Sequence, residues 1–169
     1  MKRNQFIKSA GLGLLLVPTF SIESSRTNQE QELAQLDKSL VEKFVGASHG
    51  KMDVVKELHK EHPTLINAAH DWRAGDFETG LGAASHVGYK ELARYFLDNG
   101  AQANIFTMTL FGQLDILKSI IDFNPNLLNT KGPHGYTLLH HAKKGGDDSL
   151  NVLEYLKSKG LKEDRIPLY

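Results

Sequence analysis

The sequence predicts an all-α protein built as a solenoid of about four helix-turn-helix units joined by short, irregular loops. Three observations carry that expectation. First, a small-residue segment ending in glycine and followed by paired aliphatics recurs four times: FVGASHGKMDVVKELHKE from Phe44, LGAASHVGYKELARYFLDNGAQAN from Leu81, FTMTLFGQLDILKSIIDFNPNLLN from Phe106 and GYTLLHHAKKGGDDSLNVLEYLKSKG from Gly135. Repetition at this scale is the signature of stacked units, each unable to bury its apolar face alone. Second, Gly50, Gly88, Gly112 and Gly145, taken as the turns between paired helices, stand 38, 24 and 33 residues apart. Third, each glycine is followed by apolar residues one helical turn apart: Val54, Val55 and Leu58; Leu92, Ala93, Phe96 and Leu97; Ile116, Leu117, Ile120 and Ile121; Val152, Leu153 and Leu156. Such spacing lays a narrow apolar stripe along one helix face, suited to packing on a similar neighbour.

In chain order, Lys2, Arg3 and Lys8 precede a short apolar run from Ala10 to Val17, the basic and hydrophobic regions of an export signal. That run falls short of the ~20 apolar residues needed to span a bilayer, so no stable anchor is expected after cleavage. Cleavage is expected after Ser21, with Ser24 and Ser25 as competing sites. Arg3-Asn4-Gln5-Phe6-Ile7-Lys8 resembles a bacterial twin-arginine signal, with Asn4 where the second arginine belongs. Residues 22–32 read as a polar leader. Leu33, Leu36, Leu40, Val41 and Phe44 are helically spaced and predict a helix running into the first unit, where it hides an end face from water. The repeat domain is expected over 33–162, with units at about 40–67, 68–104, 105–129 and 130–162, followed by a tail over 163–169.

Two stretches carry a family resemblance. Gly135-Tyr136-Thr137-Leu138-Leu139-His140-His141-Ala142 matches G-x-T-P-L-H-x-A with Leu138 in place of proline, and Leu97-Asp98-Asn99-Gly100-Ala101-Gln102-Ala103-Asn104 matches L-x-x-G-A-x-x-N. With the 33-residue spacing, these resemble the ankyrin repeat family, and with the N-terminal signal, its small exported bacterial members. The resemblance covers about Leu40 to Leu161. It implies an ankyrin-repeat solenoid whose hairpin "fingers" and inner helices bind another protein, and a structural hydrogen bond between fingers from His140. The chain departs from the pattern in two places. Extra length at HDWRAGDFETG predicts a long finger from Asp71 to Glu78. Only 8 residues separate Asn104 from Gly112, so the third unit has no room for a finger. A long finger beside a gap predicts a notch.

Composition excludes several functions. The 169 residues hold 20 basic and 20 acidic side chains. Removing Lys2, Arg3 and Lys8 with the signal leaves 17 basic against 20 acidic, without the positive field of a nucleic-acid binder. With no cysteine there is neither a disulfide staple nor a lipid attachment site. The sequence has no G-x-S-x-G, H-E-x-x-H or P-loop, and Ser48-His49 and Ser85-His86 are neighbours that point ~100° apart on a helix, so no enzyme is expected. Of the eight histidines, His59 and His62 share a helix face where a metal is conceivable, yet Pro63 ends that helix and the dipole explains both. His49 and His86 precede turn glycines and are assigned no function; no metal or cofactor is expected.

The expectation is therefore a non-enzymatic, monomeric, periplasmic or secreted module that binds a partner protein. Its candidate contact residues are Trp72, Arg73, Asp76 and Phe77 in the long finger, Phe106 and Met108 at the gap, and Tyr136 in the fourth finger. Trp72 and Phe77 have the alternative of folding back over the helices. Two other functions compete: a metal-binding or stress-linked accessory protein using the histidine-rich edge, and a small-ligand receptor lined by Trp72 and Phe106 at the notch.

Overall fold

The computed structural model describes residues 34–169, which are mostly helical; the export-signal and leader readings fall outside the described residues. Four helix pairs follow one another: α1 (Lys38–Ala47) with α2 (Met52–Glu61), α3 (Gly80–Val87) with α4 (Lys90–Asp98), α5 (Ile105–Leu110) with α6 (Leu114–Phe123), and α7 (Leu138–Gly145) with α8 (Leu150–Ser158). The first helices form a row, α1 on α3, α3 on α5 and α5 on α7. One core gathers Phe44, Val55, Leu81, Leu92, Phe96 and Leu110; a second gathers Leu117, Leu138, Leu139, Val152 and Leu156.

Each first helix starts on a polar side chain that accepts an otherwise unpaired amide: Asp37 from Ser39 and Leu40, Thr79 from Gly82, Asn104 from Phe106 and Thr107, and Thr137 from His140. The second helices have no such cap. Packing of the amphipathic stripe, not local capping, therefore places them. The Asp37 cap starts the first helix at Lys38, after non-helical residues 34–37 that the spacing places in it, while Leu33 lies outside the described residues; Leu36 still packs on the core.

Gly88 and Gly112 occupy the left-handed region at φ 83° and 67°. At Gly112 a Cβ would also sit 1.8 Å from the Asp148 carbonyl oxygen, because the third turn rests on the fourth. In the fourth unit the positive φ belongs to Gly146, not Gly145, since an extra 3₁₀ turn over Gly146–Ser149 lengthens the connection.

The long finger is a two-stranded antiparallel ribbon, β1 (Ala69–Asp71) and β2 (Phe77–Thr79), with Ala69 opposite Thr79. The third unit enters α5 directly from Asn104, and α5 has only six residues. Because it is so short, α3 and α7 also touch, and the fourth finger, Pro133–Tyr136, reaches the second. The gap expected between them is thus partly closed. Residues 163–166 are also no free tail: Thr137 N–H donates to the Asp164 carbonyl at 3.0 Å and Ile166 N–H to the Gly135 carbonyl at 2.9 Å. Among the described residues no helix is long and apolar enough to cross a membrane.

Candidate functional site

Four side chains from four separate segments converge beneath the ribbon. Side chains alternate along β2, so Phe77 points out and is 62% exposed, while Glu78 points in and is 1% exposed. His49 follows the end of α1, His86 lies in the last turn of α3, and His134 sits in the fourth finger at φ 59°. His49 Nε2 lies 3.1 Å from His86 Nε2 and 3.4 Å from Glu78 Oε2. His86 Nε2 is 2.9 Å from Glu78 Oε1, and His134 Nε2 is 3.4 Å from Glu78 Oε2. All four ligand atoms fall within 4.8 Å of one another, so this set has the donor types and spacing to hold a metal ion.

The surrounding groups fix these rings. Asp76, 6% exposed, accepts from both the backbone N–H of His134 at 2.8 Å and its Nδ1–H at 2.7 Å. His49 Nδ1 faces the Gly46 carbonyl at 3.2 Å. Trp72 donates Nε1–H to Glu78 Oε2 at 2.7 Å. Tyr136 stacks on His86 and His140, with centroids 5.0 and 4.1 Å away, and His140 Nε2–H donates to the His86 carbonyl at 2.7 Å. Burial pushes the Glu78 carboxyl up, yet the His86 ring, the Trp72 N–H and His49 bring it below the ordinary glutamate range. Burial likewise raises Asp76, and the two His134 donors with Arg73 outweigh it. Glu78 Oε1 is buried without a hydrogen bond of good geometry.

The expected contact residues divide. Phe77 and Arg73 are exposed, with Arg73 over the Tyr169 ring at 5.8 Å. Asp76 is turned inward, and its carboxylate is occupied by His134, which removes it from an outward-facing surface. Trp72 and Tyr136 are half-buried and form the walls of the histidine cluster. Phe106 is half-buried against His141, with centroids 4.9 Å apart, and Met108 is half-buried in α5. Phe77 and Phe106 share a groove of about 280 Å³ with Pro133; Trp72 is not on it. His59 and His62 do not form a pair: His59 Nδ1 bonds the Tyr95 hydroxyl at 2.8 Å, and His62 is exposed beyond the end of α2.

Reading the histidines one at a time misses this cluster. One signal does point to it: the tripeptide Ala-Ser-His occurs twice, at 47–49 and 84–86, at the same helix end of successive units. Stacking places equivalent positions side by side, so these two rings had to meet.

Comparison with known proteins gives a limited likeness. No family model matches the chain. It is similar to "Alpha-latrocrustotoxin-Lt1a" of Latrodectus tredecimguttatus, 29% identical over 118 residues, which covers 65% of this chain and 8% of that protein. The chain thus spans less than a tenth of that relative's length.

Proposed function

We propose that this chain is an exported ankyrin-repeat protein that binds a partner protein through its finger face and carries out no chemistry of its own. The observation that supports this reading most is the projecting ribbon. Phe77 is 62% exposed on β2 and Arg73 is exposed in the loop of the same hairpin, while Glu78 on the inward face of that strand is committed to internal contacts. An exposed aromatic and an exposed arginine on one hydrogen-bonded hairpin have the character of binding anchors. The capped first helices in a row, the αL glycine turns and the G-x-T-x-L-H-x-A stretch support the ankyrin assignment. The basic and apolar N-terminal residues support export to the periplasm or the medium.

The test is capture from an exported fraction with the full chain and with a Phe77→Ser, Arg73→Ala variant. Neither side chain supports the core, so the variant should fold. Trp72 is unsuitable for this purpose because it holds Glu78. A protein retained by the wild type and lost by the variant is the expected outcome. Equal retention by both, or retention of none, would overturn the finger-face reading. Mass analysis of the protein recovered from outside the cytoplasm should find an N-terminus after residue 21; an intact N-terminus would refute cleavage there.

A further inference from the structure

We propose that His49, Glu78, His86 and His134 form a closed, four-ligand zinc site that ties the second and fourth fingers to the ends of α1 and α3. This inference is independent of the partner-binding reading.

Hydrogen-bond logic leads to the ion. A carbonyl and a carboxylate only accept, so His49 Nδ1 carries its proton toward Gly46 and His134 Nδ1 carries its proton toward Asp76. In the neutral rings the Nε2 atoms of both therefore present lone pairs, and both are aimed at Glu78 Oε2 from 3.4 Å. His86 Nε2 faces His49 Nε2 and Glu78 Oε1 at the same point. A single N–H on His86 cannot serve all of these acceptors, and Glu78 Oε1 is left buried without a hydrogen bond. A divalent cation at the centre resolves every one of these contacts at once.

The distances suit such an ion. Ligand atoms held about 2.0–2.1 Å from a tetrahedral zinc stand about 3.3–3.4 Å apart. His49 and His86 Nε2 stand 3.1 Å apart, and the Nε2 atoms of His49 and His134 each stand 3.4 Å from Glu78 Oε2, while the 2.9 Å contact of His86 is to the other carboxylate oxygen, Oε1. All four ligand atoms lie within 4.8 Å of one another, and the His134 side chain is 24% exposed.

Three imidazoles and one carboxylate favour zinc over calcium or magnesium, which prefer all-oxygen shells. Four protein ligands leave no position for a reacting water, so the site is structural. The outer contacts are those expected around ligating groups: a carboxylate on one histidine, a backbone carbonyl on another, and an indole N–H on the glutamate.

The shortened third unit gives the site its reason for existing. Without a third finger, the second and fourth meet directly, through the two Asp76–His134 hydrogen bonds and the Trp72–His134 ring contact, and a metal adds a further tie across that junction.

The experiment is calorimetric titration of the EDTA-treated, desalted full chain with Zn²⁺, together with Co²⁺ absorption spectroscopy. Expected are one sub-micromolar equivalent of Zn²⁺, an intense visible band characteristic of tetrahedral Co²⁺, and no saturation by Mg²⁺ or Ca²⁺. His86→Ala and Glu78→Gln should weaken Zn²⁺ binding at least ~100-fold, and Asp76→Asn ~10–100-fold, the usual effect of losing an outer partner. His134→Ala guards against misfolding, since its ring lies at the half-exposed edge; circular dichroism should stay unchanged while the Co²⁺ band is lost. His59→Ala and His62→Ala should have no effect.

Absence of saturable binding below ~10 μM would overturn the proposal and leave a network held by protons. So would binding that survives His86→Ala and His134→Ala, or that is lost with His59→Ala instead.

Discussion

His141 gives the fold a specific weakness in mild acid. The ring is 1% exposed, packed against Phe106 with centroids 4.9 Å apart, and its Nδ1–H donates to the Thr137 carbonyl at 2.8 Å. Burial, reinforced by the nearby His140 and His86 and opposed by the Thr137 hydrogen bond, depresses its pKa to about 4. The unfolded chain titrates near 6.5. Because the folded pKa is the lower one, the unfolded state binds more protons in between, so stability is complete above pH ~6.5 and falls as pH drops toward 4. The linkage relation gives a loss of about 2 kcal/mol at pH 5 and about 3 kcal/mol at pH 4 relative to pH 7.5. With a urea slope of ~1–3 kcal/mol/M, the pH 5 loss lowers the midpoint by about 1 M.

The assay is urea unfolding from pH 7.5 to 5 with EDTA present, so that acid release of metal does not contribute. The wild type is compared with His141→Asn, whose amide can still donate to Thr137 but cannot titrate. The two curves should converge as pH falls, with a difference that changes by about 2 kcal/mol. A difference constant to within ~0.5 kcal/mol across that range would refute the assignment of a neutral, acid-sensitive buried ring.

Other perturbations separate packing from surface. Leu117→Ala, at a fully buried position in the second core, should cost about 2–5 kcal/mol in urea unfolding. Leu153→Ala should cost less, because Leu153 is only half-buried and Val152 and Leu156 fill the interior of α8; equal losses would contradict that packing order. Gly112→Ala combines a positive φ of 67° with a clash on the Asp148 carbonyl and should cost more than ~1 kcal/mol, whereas Gly50→Ala, with open space around it, should be near neutral. Thermal melting of both variants checks this pair. Phe77→Ser should leave the melting temperature within the scatter expected of a surface change, and a drop of several degrees would place that ring in the core after all.

The sequence by itself determined the helices and their pairing. Aliphatic stripes and glycine turns are local signals, and α2, α4, α6 and α8 lie where those stripes predict. Loop length was equally legible: the long segment before α3 is a ribbon, and the eight residues before Gly112 hold no finger. What the missing finger would do was not legible, because it depends on which segments come together once that unit is short. The expected notch became a meeting of two fingers, and Asp76, read as an outward contact, turned inward to hold His134. The histidine cluster belongs to the same class. His49, Glu78, His86 and His134 lie up to 85 residues apart in the chain, and no local spacing links them. Only the repeated Ala-Ser-His hints at their proximity, since stacking aligns equivalent positions; the other two ligands arrive through a strand's alternation and a finger's reach, which tertiary packing alone decides.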